Sequence, residues 1–157
     1  MSRSFGAGLA GAGLAVLVTA LLSGRFTAMG IGPWYDGLAK PSWTPPGTVI
    51  GAVWTVLYVL IAVASAVVWS RSPEPPRAYA AMLLVNLVLN AGWCWLFFAE
   101  GRPGAALVEI GVLWLTCVAL AALAWRVSAP AAAMLAPYAA WVAFAAYLNG
   151  TIVKLGG

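Results

Sequence analysis

Five long apolar stretches alternate with short polar segments along the chain. Each stretch has about the 20 residues that a helix needs to cross a bilayer, and glycine, proline and charged residues mark the breaks. The pattern predicts an all-α membrane protein, a single domain over 1–157. Its five transmembrane helices are expected at about 5–24, 46–70, 78–99, 104–125 and 131–153.

The first connection, about 25–45, is the longest and combines aromatic rings with prolines. A segment that only joins two helices does not need this composition, so we predict a lid over a ligand site. Thr44 is placed to cap the second helix, with Pro45 and Pro46 in its first turn. The other connections are short, and we therefore expect consecutive helices to be antiparallel neighbours in a bundle.

Composition agrees with this architecture. Hydrophobic residues make up 64% of the chain and charged residues 8%, against about 25% charged in soluble domains, which indicates an integral, multi-pass membrane protein. The basic residues are scattered, so no nucleic-acid surface is expected. They also leave the orientation open, because four lie at each end of the bundle: Arg3, Arg71, Arg77 and Arg126 against Arg25, Lys40, Arg102 and Lys154.

Few residues could support acid–base or metal chemistry. The chain has no histidine and four carboxylates, so we expect no metal site and no required cofactor. Cys94 and Cys117 lie in apolar runs and are expected to be small buried hydrophobes. Glu109 is the one carboxylate in a predicted span. It is either functional or, as its position near the helix start favours, reaches the headgroups.

Aromatic and amide side chains share faces on three predicted helices. The spacings of three and four that place residues on one face occur in three sets: Trp54 and Tyr58; Asn86, Asn90, Trp93 and Phe97; and Tyr138, Trp141, Ala145 and Asn149.

Two interpretations of these faces remain open. The asparagines could bond neighbouring helices, each contributing about 0.6–2 kcal/mol, with the tryptophans in interfacial belts. Alternatively, the faces line a cavity, since Trp54, Trp93 and Trp141 lie inside their spans. Such a cavity would suit a large, flat, apolar ligand held by ring stacking and a few hydrogen bonds.

Four segments resemble, in order, the tryptophan-rich sensory protein / translocator protein family (TspO, the peripheral benzodiazepine-receptor type). The segments cover most of the chain: Trp34-Tyr35-x-x-Leu38-x-Lys40-Pro41-x-Trp43-x-Pro45-Pro46, Val53-Trp54-x-x-Leu57-Tyr58, Asn90-x-x-Trp93-x-x-x-Phe97-Phe98 and Pro137-Tyr138-x-x-Trp141-x-x-Phe144-Ala145-x-x-Leu148-Asn149.

The resemblance implies a five-helix bundle that dimerises and a receptor or sensor that binds porphyrins, including protoporphyrin IX and haem, in an intramembrane pocket. Its role would lie in tetrapyrrole regulation or transport. The alternatives are a light-dependent porphyrin-degrading enzyme, with Trp54 and Trp141 as candidate catalytic residues, and a transporter of tetrapyrroles or lipids. An enzyme is the less favoured interpretation.

The aromatic and amide faces and the resemblance together give one set of candidate ligand-binding residues: Tyr35, Trp43, Trp54, Tyr58, Asn86, Asn90, Trp93, Phe97, Tyr138, Trp141 and Ala145.

The sequence departs from the family pattern at three places. Cys94 replaces a small hydroxyl residue, so a polar contact is expected to be missing. Ile50 replaces a common phenylalanine, which enlarges the expected cavity. The sterol-recognition pattern around Val142, Tyr147 and Lys154 is incomplete, and cholesterol binding is not predicted.

Overall fold

The computed structural model describes residues 4–156, and Arg3 lies outside them. The order of elements is α1 (Phe5–Gly30), α2 (Pro33–Gly37), α3 (Gly47–Arg71), α4 (Arg77–Cys94) with a π-helical continuation (Trp95–Ala99), α5 (Pro103–Trp125) and α6 (Ala129–Lys154).

All five predicted transmembrane helices are present, and the described residues contain no strand. The protein is therefore an all-α, multi-pass membrane protein. Two serines start helices: Ser4 Oγ accepts from Ala7 N at the start of α1, and Ser128 Oγ accepts from Ala131 N at the start of α6. These bonds satisfy amides that have no partner inside the helix.

The first helix is longer than predicted, since α1 continues to Gly30 instead of ending near 24. Residues 23–30 include serine, glycine and arginine, which made this part of the sequence resemble a connection. In the structure Ser23 and Gly30 are buried against the bundle, and tertiary packing overrides the weak local propensity.

The lid spans residues 31–46 and contains the short helix α2. The prediction for the start of α3 was wrong. Thr44 does not cap the helix, because its hydroxyl donates to the carbonyl of Pro41 at 2.7 Å. Pro46 occupies the N-cap position and Pro45 precedes it, so both prolines stiffen the end of the lid.

The helices form a closed ring in the order α1, α3, α6, α5, α4. The expectation that all consecutive helices are neighbours is wrong for α3 and α4, because α1 packs between them. Side chains of α3 and α4 nevertheless meet across the interior. Ser65 Oγ of α3 lies 2.9 Å from the hydroxyl of Tyr79 of α4.

The end of the third transmembrane helix is not a regular α-helix. Predicted as continuous over 78–99, it changes at Trp95 to a π-helical turn that ends at Ala99. Such wide turns are rare and often occur at functional sites. This one places Phe97 and Phe98 against each other, with ring centroids 4.9 Å apart, and both face the interior beneath the lid.

Candidate functional site

A cavity of about 440 Å³ lies beneath the lid, in the half of the bundle where α1, α4 and α6 end. Its walls come from α1, α3, the end of α4 with its π-helical turn, and α6, and Tyr35 of α2 covers it. This volume falls within the range of about 300–1,000 Å³ typical of small-molecule sites.

Seven predicted site residues line the cavity, and four do not. The lining residues are Tyr35, Trp54, Tyr58, Trp93, Phe97, Trp141 and Ala145. The other four are Trp43, which lies on the outer side of α6, and Asn86, Asn90 and Tyr138, which are buried in the bundle behind the cavity wall.

Aromatic rings contact one another around the cavity. The Trp93 and Phe97 rings are stacked with centroids 5.2 Å apart, and Trp93 meets Phe98 edge-on at 5.9 Å. On the opposite wall, Trp54 contacts Tyr58 at 5.5 Å. These geometries are the offset and edge-to-face arrangements that aromatic pairs prefer.

A chain of hydrogen bonds lies directly behind Tyr58. The Tyr58 hydroxyl donates to Asn90 Oδ1 at 2.8 Å, and Asn90 Nδ2 donates to the Tyr138 oxygen at 3.1 Å. The Tyr138 hydroxyl donates to Asn86 Oδ1 at 2.9 Å, and Asn86 Nδ2 donates to Thr116 at 2.9 Å. The chain thus connects α3, α4, α6 and α5.

A second polar link fixes one aromatic wall. Trp93 Nε1 donates to Asn149 Oδ1 at 3.1 Å, and Asn149 Nδ2 donates to the carbonyl of Pro103 at 2.9 Å. The two interpretations left open by the sequence therefore both hold in part: the asparagines bond other helices of the bundle, while most of the rings line a cavity.

Two tryptophans attach the lid to different helices. Trp34 meets Phe97 edge-on at 5.9 Å and lies over Gly101, where a Cβ would be 3.2 Å from Trp34 Nε1. Trp43 stacks on Tyr147 of α6 at 5.4 Å and contacts Phe144 at 5.9 Å. The lid therefore crosses the mouth of the cavity between α6 and the α4–α5 connection.

Lys40 holds the centre of the lid together. Its ammonium donates to the carbonyls of Tyr35 and Leu38, and it lies 4.5 Å from the centroid of the Tyr35 ring, a cation–π distance. Burial, with a smaller contribution from the nearby charge of Asp36, raises the pKa of Tyr35 above its ordinary value. The phenol is therefore neutral at physiological pH.

The wall formed by α1 was missed by the analysis of the sequence. It includes Ala20, Ser23, Gly24, Thr27 and Ala28. Small residues occur on every face of this helix, so no pattern in its sequence distinguishes the face that lines the cavity.

Two departures from the family pattern, Ile50 and Cys94, also lie on the cavity wall. Cys94 and Cys117 are free and buried, as expected.

Contrary to the expectation for Glu109, its carboxylate does not extend to the headgroups. Both oxygens are buried and have no hydrogen-bond partner among the described residues. Oε1 lies 3.7 Å from the point that a Cβ would occupy if residue 92 were not glycine.

The cavity suits an uncharged molecule. No aspartate, glutamate, lysine or arginine of the described residues lines it, so an ionised group inside would lack a partner in a medium of low dielectric. No group of three or more potential metal ligands occurs between residues 4 and 156.

Comparison with known proteins identifies similar chains. The family model described as "TspO/MBR family" matches residues 12–155. "Tryptophan-rich protein TspO" of Chlorobaculum tepidum is 37% identical over 141 residues, covering 88% of this chain and 89% of the relative.

Similar proteins also occur in archaea and mammals. "Tryptophan-rich protein TspO" of Archaeoglobus fulgidus is 34% identical, covering 90% of this chain and 92% of the relative. "Translocator protein" of Sus scrofa is 41% identical, covering 74% of this chain and 70% of the relative.

Proposed function

This chain belongs to the TspO/MBR family, and from that premise we propose that it is a membrane receptor for porphyrins and similar flat hydrophobic molecules. The ligand is held within the bilayer, in the cavity beneath the lid, and the protein serves tetrapyrrole regulation or transport. The family resemblance implies dimerisation, and we propose that the protein acts as a homodimer.

The composition of the cavity wall carries the proposal. Trp54 and Tyr58 lie on one side, and Trp93 and Phe97 on another, so a planar ring system meets aromatic surface on more than one side. Ring stacking contributes about 0.5–1.5 kcal/mol per pair beyond the burial of area.

The uncharged lining sets the orientation of a porphyrin. Its ring enters the cavity, and its carboxylates, if ionised, remain at the mouth because the interior offers them no cation. Lys40 provides a positive charge in the lid, 4.5 Å from the centroid of the Tyr35 ring. Asn86, Asn90 and Tyr138 act on the ligand through Tyr58 and Trp54, which they position.

Titration of the purified protein with protoporphyrin IX in detergent tests the proposal. Saturable quenching of tryptophan fluorescence at micromolar porphyrin is expected, and Trp141→Phe should weaken binding. Folded protein, checked by circular dichroism, that gives only linear, non-saturable quenching would sink the proposal.

Light-dependent degradation of the bound porphyrin is the second candidate. It is favoured by the location of both candidate tryptophans, Trp54 and Trp141, on the cavity wall, where their indoles would contact the ligand. Illumination should then produce new absorbing products that disappear in Trp54→Phe and Trp141→Phe. Equal bleaching in the wild type and both variants would leave binding as the function.

A further inference from the structure

A groove on the lipid-facing surface runs between α3 and α6. Every residue that lines it is hydrophobic, including Val53 and Val56 of α3 and Ala140 of α6. Val56 is 59% exposed and faces the bilayer. The groove thus offers hydrocarbon-like surface to molecules dissolved in the membrane.

The groove and the ligand cavity share a wall. Trp141 and Phe144 line both of them, and their rings contact each other with centroids 5.2 Å apart. These two side chains therefore separate the bilayer from the interior of the cavity.

The Trp141 ring in the shared wall is held less firmly than the Trp93 ring. Trp93 is fixed by its bond to Asn149, whereas Trp141 Nε1 is buried and has no hydrogen-bond partner among the described residues. A rotation of the Trp93 ring breaks a hydrogen bond in an apolar medium, and a rotation of the Trp141 ring breaks none.

The backbone next to Trp141 is also weakened. Pro137 lies inside α6, one turn before Trp141, and lines the groove. Because proline has no amide hydrogen, the helix lacks the bond from this position to the carbonyl of Ala133. Helices bend at such points, which allows the two helices to separate where Trp141 lies.

From these features we infer that the flat ligand passes between the bilayer and the cavity sideways, through the α3–α6 groove, with Trp141 and Phe144 as the gate. The occupant of the groove is the uncharged ring of the ligand in transit. Trp141 Nε1 is then the first hydrogen-bond donor it meets. The inference rests on the proposed function, since it requires a ligand that partitions into lipid.

Release kinetics from the full chain in phosphatidylcholine vesicles test this route. The ligand is protoporphyrin IX dimethyl ester, which carries no charge. Ala140→Phe places a ring in the groove without altering the cavity. We expect release to slow about tenfold, which corresponds to an added barrier of about 1.4 kcal/mol. The Kd should stay within about twofold, since a barrier slows binding and release equally.

Two further variants make the result decisive. Val56→Phe blocks the groove from α3, so a folding defect of one variant does not leave the route undecided. Ala122→Phe adds the same ring at an exposed position of α5 and should leave release unchanged. The route would be overturned by wild-type release rates in both groove variants, or by equal slowing in Ala122→Phe. The proposed function would still stand in that case, provided that the protein binds the ester. A wild-type protein that does not bind the ester overturns both.

Discussion

The hydroxyl of Tyr58 donates a hydrogen bond to Asn90 Oδ1 at 2.8 Å, joining α3 to α4, two helices that are not neighbours in the ring. The bond spans the interior at the inner end of the cavity, where Tyr58 forms part of the wall. Binding surface and bundle stability therefore depend on the same side chain.

Removing this hydroxyl should destabilise the bundle. Tyr58→Phe leaves Asn90 Oδ1 without its donor in a medium without water, and we expect a loss of about 1–3 kcal/mol. Thermal unfolding in detergent measures it. Tyr147→Phe, at a ring that is 68% exposed, is the matched control and should change stability little. Equal melting temperatures for both variants would contradict the expectation.

The contact between α1 and the π-helical turn should tolerate no side chain at Gly30. A Cβ there would lie 2.7 Å from the Cα of Phe98, and backbone cannot rotate away. Gly30→Ala should therefore cost about 1–3 kcal/mol through overpacking. Gly11→Ala, where a Cβ meets nothing within 4 Å, should be neutral or stabilise by up to about 1 kcal/mol. Chemical denaturation of both variants distinguishes the two sites.

Filling the cavity should weaken binding without unfolding the protein. Ala145 lines the cavity, and Ala145→Phe places a ring in the space proposed for the ligand. Porphyrin affinity is expected to fall by at least about tenfold. Ala143→Phe, on an exposed face of the same helix, is the control and should bind normally. Full affinity in Ala145→Phe would place the ligand elsewhere.

Alkaline pH should open the lid. Burial raises the pKa of Tyr35 above its usual value of about 10, so the closed lid favours the neutral phenol. The neutral phenol's contribution to the stability of the closed lid is complete below pH 10. It is lost as the pH rises through the raised pKa. Porphyrin affinity should fall over that interval, because Tyr35 is part of the cavity lining. Tyr35→Phe should remove this pH dependence, and an unchanged profile in the variant would argue against a role for the phenol.

The transmembrane helices could be predicted from sequence because runs of apolar residues report them directly. Their arrangement could not, since nothing in the hydropathy of α1 indicates that it packs between α3 and α4. The extension of α1 to Gly30 depends on contacts with the π-helical turn, which are formed only in three dimensions.

The cavity was predictable where large side chains repeat on one face. Trp54, Trp93 and Trp141 each belong to such a face of their own helix and line the cavity. The pairing of the asparagines was left open, because spacing alone does not show whether Asn90 faces a ligand or another helix. In the structure Asn90 bonds to Tyr58 and Tyr138.

The ring order has a consequence for how the molecule opens. Because α1 and α3 are packed neighbours, both ends of the lid stay fixed when its middle part moves, and the helices need not separate. Lid and bundle should therefore exchange their amide hydrogens as two independent units, the lid with a much lower opening free energy. Hydrogen-exchange mass spectrometry would show this as early deuteration confined to residues 31–46.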